Sequence, residues 1–98
     1  MNVFDSEDCL YLLDFIQKDQ FITQRVLSQK SGLSLGKVNY CIKALIKIGY
    51  LKLRNFQNSD SKYKYIYVLT PKGIKNKKLI AKKFLRQKQK EYDKLKLL

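Results

Sequence analysis

The sequence predicts a small α+β domain that is mainly helical, with three short helices, a β-hairpin and one long C-terminal helix. Apolar residues recur at helical spacing through the first half of the chain. Two strand-like runs then flank a polar segment, and residues 72–97 contain nothing that forbids a helix beyond Gly73. A length of 98 residues allows one such domain.

The first helix is predicted from its capping residue and its apolar content. Asp5 or Ser6 can cap its start, and the helix is expected to be largely buried and to end near Lys18. The short apolar pair at residues 21–22 is predicted to form an edge strand.

Two further helices flank a short turn. Thr23 caps a helix over residues 24–31, and Gly32 supplies the left-handed residue that ends it. Ser34 caps the next helix, over residues 35–48. Its inward stripe is predicted to consist of Leu35, Val38, Cys41, Ile42, Leu45 and Ile48. This pair is a helix-turn-helix.

A β-hairpin and a long helix complete the chain. Residues 50–56 alternate apolar and polar side chains, and residues 63–69 are rich in aromatic and β-branched ones. The polar run 57–62 between them is a turn. Thr70 caps the last helix, which begins with Pro71.

With this hairpin as the wing, residues 1–70 are predicted to form a winged helix-turn-helix DNA-binding domain. Residues 71–98 are predicted to form a C-terminal helix that serves as the dimerisation element.

Charge is distributed unevenly along the chain, which has a formal net charge of +13. Residues 1–20 hold five acids and one base, whereas residues 21–70 hold nine bases and one acid. Residues 71–98 hold eleven bases and two acids. The surplus predicts a polyanionic partner, with nucleic acid first and an anionic membrane surface second.

The composition also argues against several classes of function. The chain has no histidine and only two cysteines, Cys9 and Cys41, so we expect no catalytic site, no metal and no cofactor. The N-terminus lacks the pattern of a signal peptide, and no apolar run would span a membrane. We therefore expect a cytoplasmic protein, associated with the nucleoid when it is bound to DNA.

Two segments resemble MarR-type regulators. The run from Gly32 to Leu45 followed by Gly49-Tyr50-Leu51 is similar to their recognition-helix segment, and Tyr65 to Gly73 is similar to their wing strand and following helix start. More narrowly, Ser34 to Ala44, together with residues 55–56, 58–59 and 62, resembles the small "MarR family EPS-associated" regulators. The resemblance implies sequence-specific binding of double-stranded DNA by a homodimer and an association with exopolysaccharide gene control.

The residues themselves also predict DNA binding. The outer face of the third helix, residues 34–48, is expected to enter the major groove. It presents Ser34, Gly36, Lys37, Asn39, Tyr40 and Lys43. Asn39 has the groups that pair with adenine, and the helix N-terminus at Ser34 can bind a phosphate. Further candidate contacts are Thr23, Arg25, Arg54 and, in or beside the wing, Asn58, Lys62 and Lys64.

The last helix is predicted to pair with a second copy. Ile74, Ala81 and Leu95 share one heptad position, interrupted by Lys88, and Lys78, Leu85 and Tyr92 share another. The expected dimer contacts are Ile80, Phe84, Leu85, Tyr92 and Leu95. Acids of the first helix are expected to pair with lysines of this helix.

Other interpretations remain open at this stage. The winged helix could bind RNA, single-stranded nucleic acid or a protein, and the tyrosines at 63, 65 and 67 could stack on unpaired bases. The lysine-rich helix could lie on a membrane surface. Cys9 and Cys41 could form a redox sensor, although inward-facing cysteines usually serve as small apolar residues.

Overall fold

The structure, a computed structural model, describes residues 6–57 and 63–98; for residues 56–57 and 63–64 it describes the backbone alone. Apart from the edge strand expected at residues 21–22, the elements follow in the predicted order, with bounds within a residue or two of those expected. They are α1 Glu7–Lys18, α2 Gln24–Ser31, α3 Leu35–Ile48, β1 Leu51–Gln57, β2 Tyr63–Leu69 and α4 Pro71–Lys96. The predicted fold class, mainly helical with a two-stranded hairpin, is confirmed.

Each helix begins at a hydroxyl cap. The Oγ of Ser6 accepts a hydrogen bond from the N–H of Cys9 at 3.1 Å, and that of Ser34 accepts from the N–H of Lys37 at 3.1 Å. Thr70 caps α4 in the same way. These bonds satisfy donors that the first turn of a helix leaves unpaired. The helix starts could therefore be predicted from local chemistry.

Two sequence predictions are wrong. Phe21 and Ile22 do not form a strand, because their N–H groups bond locally, to the carboxylate of Asp19 at 3.0 Å and to its carbonyl at 3.2 Å. Leu35 does not join the inward stripe, because its side chain is 49% exposed. Leu35 is the first residue of α3, so it lies at the end of the stripe and no helical turn precedes it.

The core forms where α1 meets the helix-turn-helix and the hairpin. Leu12, Leu13 and Ile16 of α1 are fully or almost fully buried, in a core to which every other element also contributes side chains. The remaining core side chains include Leu27 of α2, Val38, Ile42 and Leu45 of α3, and Leu51 of β1. β1 and β2 pair antiparallel, with Leu51 opposite Leu69 and Gln57 opposite Tyr63. The core therefore fixes the orientation of α3, whose other face points away from the body.

The apolar packing of α4 against the body extends along its first half as far as Phe84, and an exposed ion pair from Lys88 to Glu7 of α1 follows. Lys77 of α4 bonds Asp14 of α1 at 2.9 Å, and this bond, followed by one from Lys18, holds the pKa of the Asp14 carboxyl below its usual range. Ile80 lies in the core of this chain at 5% exposure, and Phe84 packs against that core. From residue 85 onward every residue is exposed, and the molecule measures 61 × 26 × 21 Å.

Candidate nucleic-acid interface

α3 has one face built into the fold and one open face. Val38, Cys41, Ile42 and Leu45 are buried, so the opposite side of the helix is directed away from the core. That outward face carries Gly36, Tyr40, Lys43 and Lys47, all of them exposed. The ring of Tyr40 is 63% exposed. Three of the predicted contacts therefore lie at the centre of a single exposed surface.

Gly36 leaves open space on this face. A Cβ built on Gly36 would meet nothing within 4 Å. Nothing in the fold therefore requires glycine at this position, although glycine is an unfavourable residue within a helix. Its effect is to let another molecule approach the backbone of α3 closely.

Lys37 lies at one edge of the open face rather than at its centre. Its Nζ is 3.9 Å from the carboxylate of Asp8 in α1, and the two side chains are 52% and 44% exposed. An exposed ion pair of this kind stabilises a fold by about 1 kcal/mol at most. Lys37 can therefore exchange this partner for a phosphate at little cost.

Asn39 lies at the other edge and is half-buried. Its Nδ2 donates to the Oε1 of Gln24 at 3.2 Å, and the Nε2 of Gln24 donates to the hydroxyl of Tyr67 at 3.0 Å. Gln24 lies between the predicted contacts Thr23 and Arg25, but its role as a partner of Asn39 and Tyr67 was not predicted. Its position in the first turn of α2 was visible, but its partners lie 15 and 43 residues away in the chain.

The other predicted contacts are dispersed around α3. Thr23 caps α2 by accepting from the N–H of Val26 at 3.2 Å, and Arg25 and Arg54 are exposed. The hydroxyl of Ser34 caps α3, as described above, and Ser34 is exposed. Asn58 and Lys62 lie outside the described residues, and for Lys64 only the backbone is described, paired with Phe56.

The electrostatic character of this half of the molecule follows from its sequence. No acidic residue occurs between Asp19 and Asp60, a span that includes all of α2, α3 and β1. The same span holds seven lysines and arginines, among them Arg25, Lys43 and Arg54. A surface with this surplus attracts a polyanion over roughly a Debye length, about 8 Å at physiological salt.

The two cysteines have the environment of core residues. Both side chains have no exposed surface. Burial, with a further contribution from the adjacent Cys41, raises the pKa of the Cys9 thiol to about 11, and burial also raises the pKa of Cys41. Because the thiolate is the reactive form, these thiols are poor nucleophiles in the folded chain.

The tyrosines of β2 do not share one environment. Tyr65 is 65% exposed, whereas Tyr67 is half-buried and bonded to Gln24. These two rings therefore do not present equivalent surfaces for stacking bases. In the part of the chain that the structure describes, no helix combines the length and apolar character needed to cross a membrane.

Comparison with known proteins identifies the fold. Residues 12–52, from α1 to the start of β1, match a family model described as "Winged helix-turn-helix DNA-binding". No curated protein sequence shows significant similarity to the chain. Among solved structures, the PcaV transcriptional regulator of Streptomyces coelicolor, in complex with its natural ligand, superposes with a TM-score of 0.69. It is 15% identical, and the match covers 86% of this chain and 58% of that one.

Two further structures have the same architecture. Staphylococcus aureus MarR, in complex with salicylate and kanamycin, is 21% identical with a TM-score of 0.64, over 88% of this chain and 56% of that one. Streptococcus pneumoniae FabT, in complex with DNA, is 21% identical with a TM-score of 0.60, over 90% of this chain and 60% of that one. The chain thus spans less than two thirds of these proteins. Its winged helix-turn-helix is confirmed, as is its resemblance to MarR-type regulators in fold.

Proposed function

We propose that the chain is a transcriptional regulator that binds double-stranded DNA sequence-specifically as a homodimer. α3 enters the major groove, and the wing, residues 57–62, lies near the minor groove or the backbone. The observation that carries this proposal is the outward face of α3, which is exposed, basic and free of acids, and which the buried opposite face holds in one orientation.

The dimensions and chemistry of α3 suit this role. A helix with its side chains is about 10–12 Å across, and the major groove is about 12 Å wide. Gly36 removes bulk where the helix approaches the bases, while Lys43 reaches phosphates. The exposed ring of Tyr40 offers an apolar surface to a thymine methyl group. Asn39 pairs with adenine.

The solved relatives support the nucleic-acid class. FabT, which shares this fold, is described in complex with DNA, and PcaV is described as a transcriptional regulator. We therefore favour a DNA duplex over RNA, single strands or a protein as the partner of α3. The narrower resemblance to exopolysaccharide-associated regulators remains a prediction.

A seam on the projecting half of α4 supports the dimer. Ala81, Leu85, Lys88, Tyr92 and Leu95 follow the alternating three- and four-residue spacing of a coiled coil, and all five are exposed. Ile80 and Phe84, also predicted to make dimer contacts, are instead occupied by the core of their own chain. The seam thus begins beside the part of α4 that packs on the body and continues along the exposed part beyond Phe84.

Charge along the seam is partly compensated. The Nζ of Lys88 lies 3.7 Å from the carboxylate of Glu7 in α1 of the same chain, as expected for acids of the first helix. In a parallel pair, Glu91 of one copy would face Lys96 of the other across the flanking positions. Binding of a palindrome by a two-fold dimer requires its two α3 helices to lie about 34–36 Å apart, one turn of DNA.

Leu85→Asp is expected to turn the dimer into a monomer, because it places a carboxylate in the seam. Leu79→Asp is the matched control, since Leu79 is also exposed, at 52%, but lies off the seam. Analytical ultracentrifugation at a fixed protein concentration compares the two variants. A dimeric Leu85→Asp variant, or an equal loss in both, would contradict the seam.

Selection of bound sequences from a random duplex library is the test of the function itself. We expect a palindromic consensus whose half-sites lie about one helical turn apart. The selected duplex should then bind at least about tenfold more tightly than either of its single strands or an RNA of the same sequence. Equal or tighter binding of single strands would refute the proposal in favour of the single-strand alternative.

A further inference from the structure

Three amide and hydroxyl groups from three different elements form one hydrogen-bonded chain beside the open face of α3. Asn39 of α3 donates to Gln24 of α2 at 3.2 Å, and Gln24 donates to Tyr67 of β2 at 3.0 Å. All three residues are half-buried. Gln24 is the central member, and through its two bonds it connects the recognition helix to the strand that leads from the wing.

We propose that Gln24 is a positioning residue that orients the carboxamide of Asn39 for reading a base edge in the major groove, with adenine as the base. The inference rests on the function proposed above and assigns part of its sequence specificity to a residue that does not contact DNA. Gln24 acts through Asn39 on one side and is held by Tyr67 on the other.

The donor and acceptor inventory explains the assignment. An asparagine amide carries two N–H donors and one carbonyl acceptor. Gln24 uses one donor of Asn39, which leaves one donor and the acceptor, the pair that adenine N7 and N6 require. A rotated Asn39 amide would present a different pattern to the groove. The bond to Gln24 therefore selects which pattern is presented.

Gln24 itself is poorly suited to read a base. Its Oε1 accepts from Asn39 and its Nε2 donates to Tyr67, so both ends of its amide are engaged within the chain. Reversal of this amide would put its N–H group against the donor of Asn39. Its position is therefore held by partners on two separate elements before DNA binds, and the bond with Asn39 distinguishes the two orientations of the amide, because the Tyr67 hydroxyl can accept or donate. Preordering of a contact group reduces the entropy lost on binding.

A double-mutant cycle with Asn39 tests the proposal. The probes are a duplex recovered from the random library and a duplex of the same composition in scrambled order, measured at one salt concentration. Gln24→Ala is expected to lower the affinity for the selected duplex roughly tenfold and to change that for the scrambled duplex less than about twofold. Adding Asn39→Ala to Gln24→Ala should cost nothing beyond Asn39→Ala alone.

Two conservative variants separate positioning from general stability. Gln24→Glu keeps an acceptor for Asn39 and can accept from the Tyr67 hydroxyl, so it should retain the ratio of the two affinities while its charge weakens both. Tyr67→Phe removes one anchor, and its ratio should fall about fivefold. The inference would be overturned if Gln24→Ala weakened binding to both duplexes equally, or if its effect added to that of Asn39→Ala. It would also be overturned if Gln24→Glu had the same ratio of selected to scrambled affinity as Gln24→Ala.

The same measurements distinguish a failure of the proposed DNA-binding function from a failure of the positioning role of Gln24 alone. If the wild-type chain does not distinguish selected from scrambled duplex, or if Asn39→Ala leaves that ratio unchanged, base reading by α3 is refuted and the inference with it. If Asn39→Ala abolishes the ratio while Gln24→Ala preserves it, only the positioning role of Gln24 is refuted.

Discussion

Gly73→Ala is expected to be strongly destabilising, with a loss of about 3 kcal/mol in the free energy of unfolding and a Tm lower by more than about 10 °C. A Cβ on Gly73 would lie 2.1 Å from the carbonyl oxygen of Tyr50, 2.9 Å from its carbonyl carbon and 3.1 Å from its Cα. These are backbone atoms, so no side-chain rotation relieves the overlap. Either α4 or the residues that follow α3 must move.

That movement would break a junction. The N–H of Thr70 donates to the carbonyl oxygen of Tyr50 at 3.1 Å, and the hydroxyl of Thr70 donates to the carbonyl oxygen of Gly49 at 2.5 Å. The Nζ of Lys72 donates to the carbonyl oxygen of Ile48 at 2.9 Å. These bonds tie the start of α4 to the end of the recognition helix. We therefore expect the variant to lose helical circular dichroism at a lower temperature than the wild type.

Gly36→Ala is the matched control, because the same methyl group enters open space there. Alanine is a better helix former than glycine by up to about 1 kcal/mol, so this variant should melt at or above the wild-type temperature. A Gly73→Ala chain that melts like the wild type would show that the junction yields easily and would contradict the expected cost.

Removing two lysines from the outward face of α3 should cause a large loss of DNA binding. In Lys43→Gln/Lys47→Gln, two exposed cations are replaced by neutral side chains of similar length. If both contact phosphates, the slope of log affinity against log salt should become shallower by up to about 1.8. At low salt the affinity should fall by roughly ten- to a hundredfold.

The matched control removes the same charge from α4. Lys82→Gln/Lys83→Gln leaves the net charge equal to that of the first variant, and both lysines are exposed. We expect the affinity of this control variant for the duplex to change by less than about threefold, because long-range electrostatic attraction is screened at moderate salt. Fluorescence anisotropy over a salt series compares the two variants. Equal losses would assign direct DNA contacts to α4 as well as to α3.

The helix-turn-helix illustrates how much of the site was predictable. Ser34 and Gly32 define its turn through a side-chain cap and a left-handed backbone with φ of +75°, both of which are local effects. The buried stripe through Val38, Ile42 and Leu45 followed from spacing alone. The prediction failed for Leu35 because periodicity gives an angle around the helix, not whether another element covers that end.

The partners of the residues at the two edges of α3 could not be predicted from the sequence. Lys37 and Asn39 have polar side chains, and the sequence assigned both to the reading face. Asp8 of α1 and Gln24 of α2 engage them in the fold. Neither partner is within a helical turn of its target in the chain, so no pattern in α3 signals them.

The sequence by itself therefore determined the elements, their caps and turns, the predicted winged helix-turn-helix, and the acid-free span that includes α2, α3 and β1. These depend on interactions within a few residues or on composition. The tertiary structure decided which residues of α3 are free to face outward, that Ile80 belongs to the core while Leu85 does not, and that Gln24 joins Asn39 to the strand from the wing. Such contacts depend on how helices pack across the core, and their partners lie far apart in the chain.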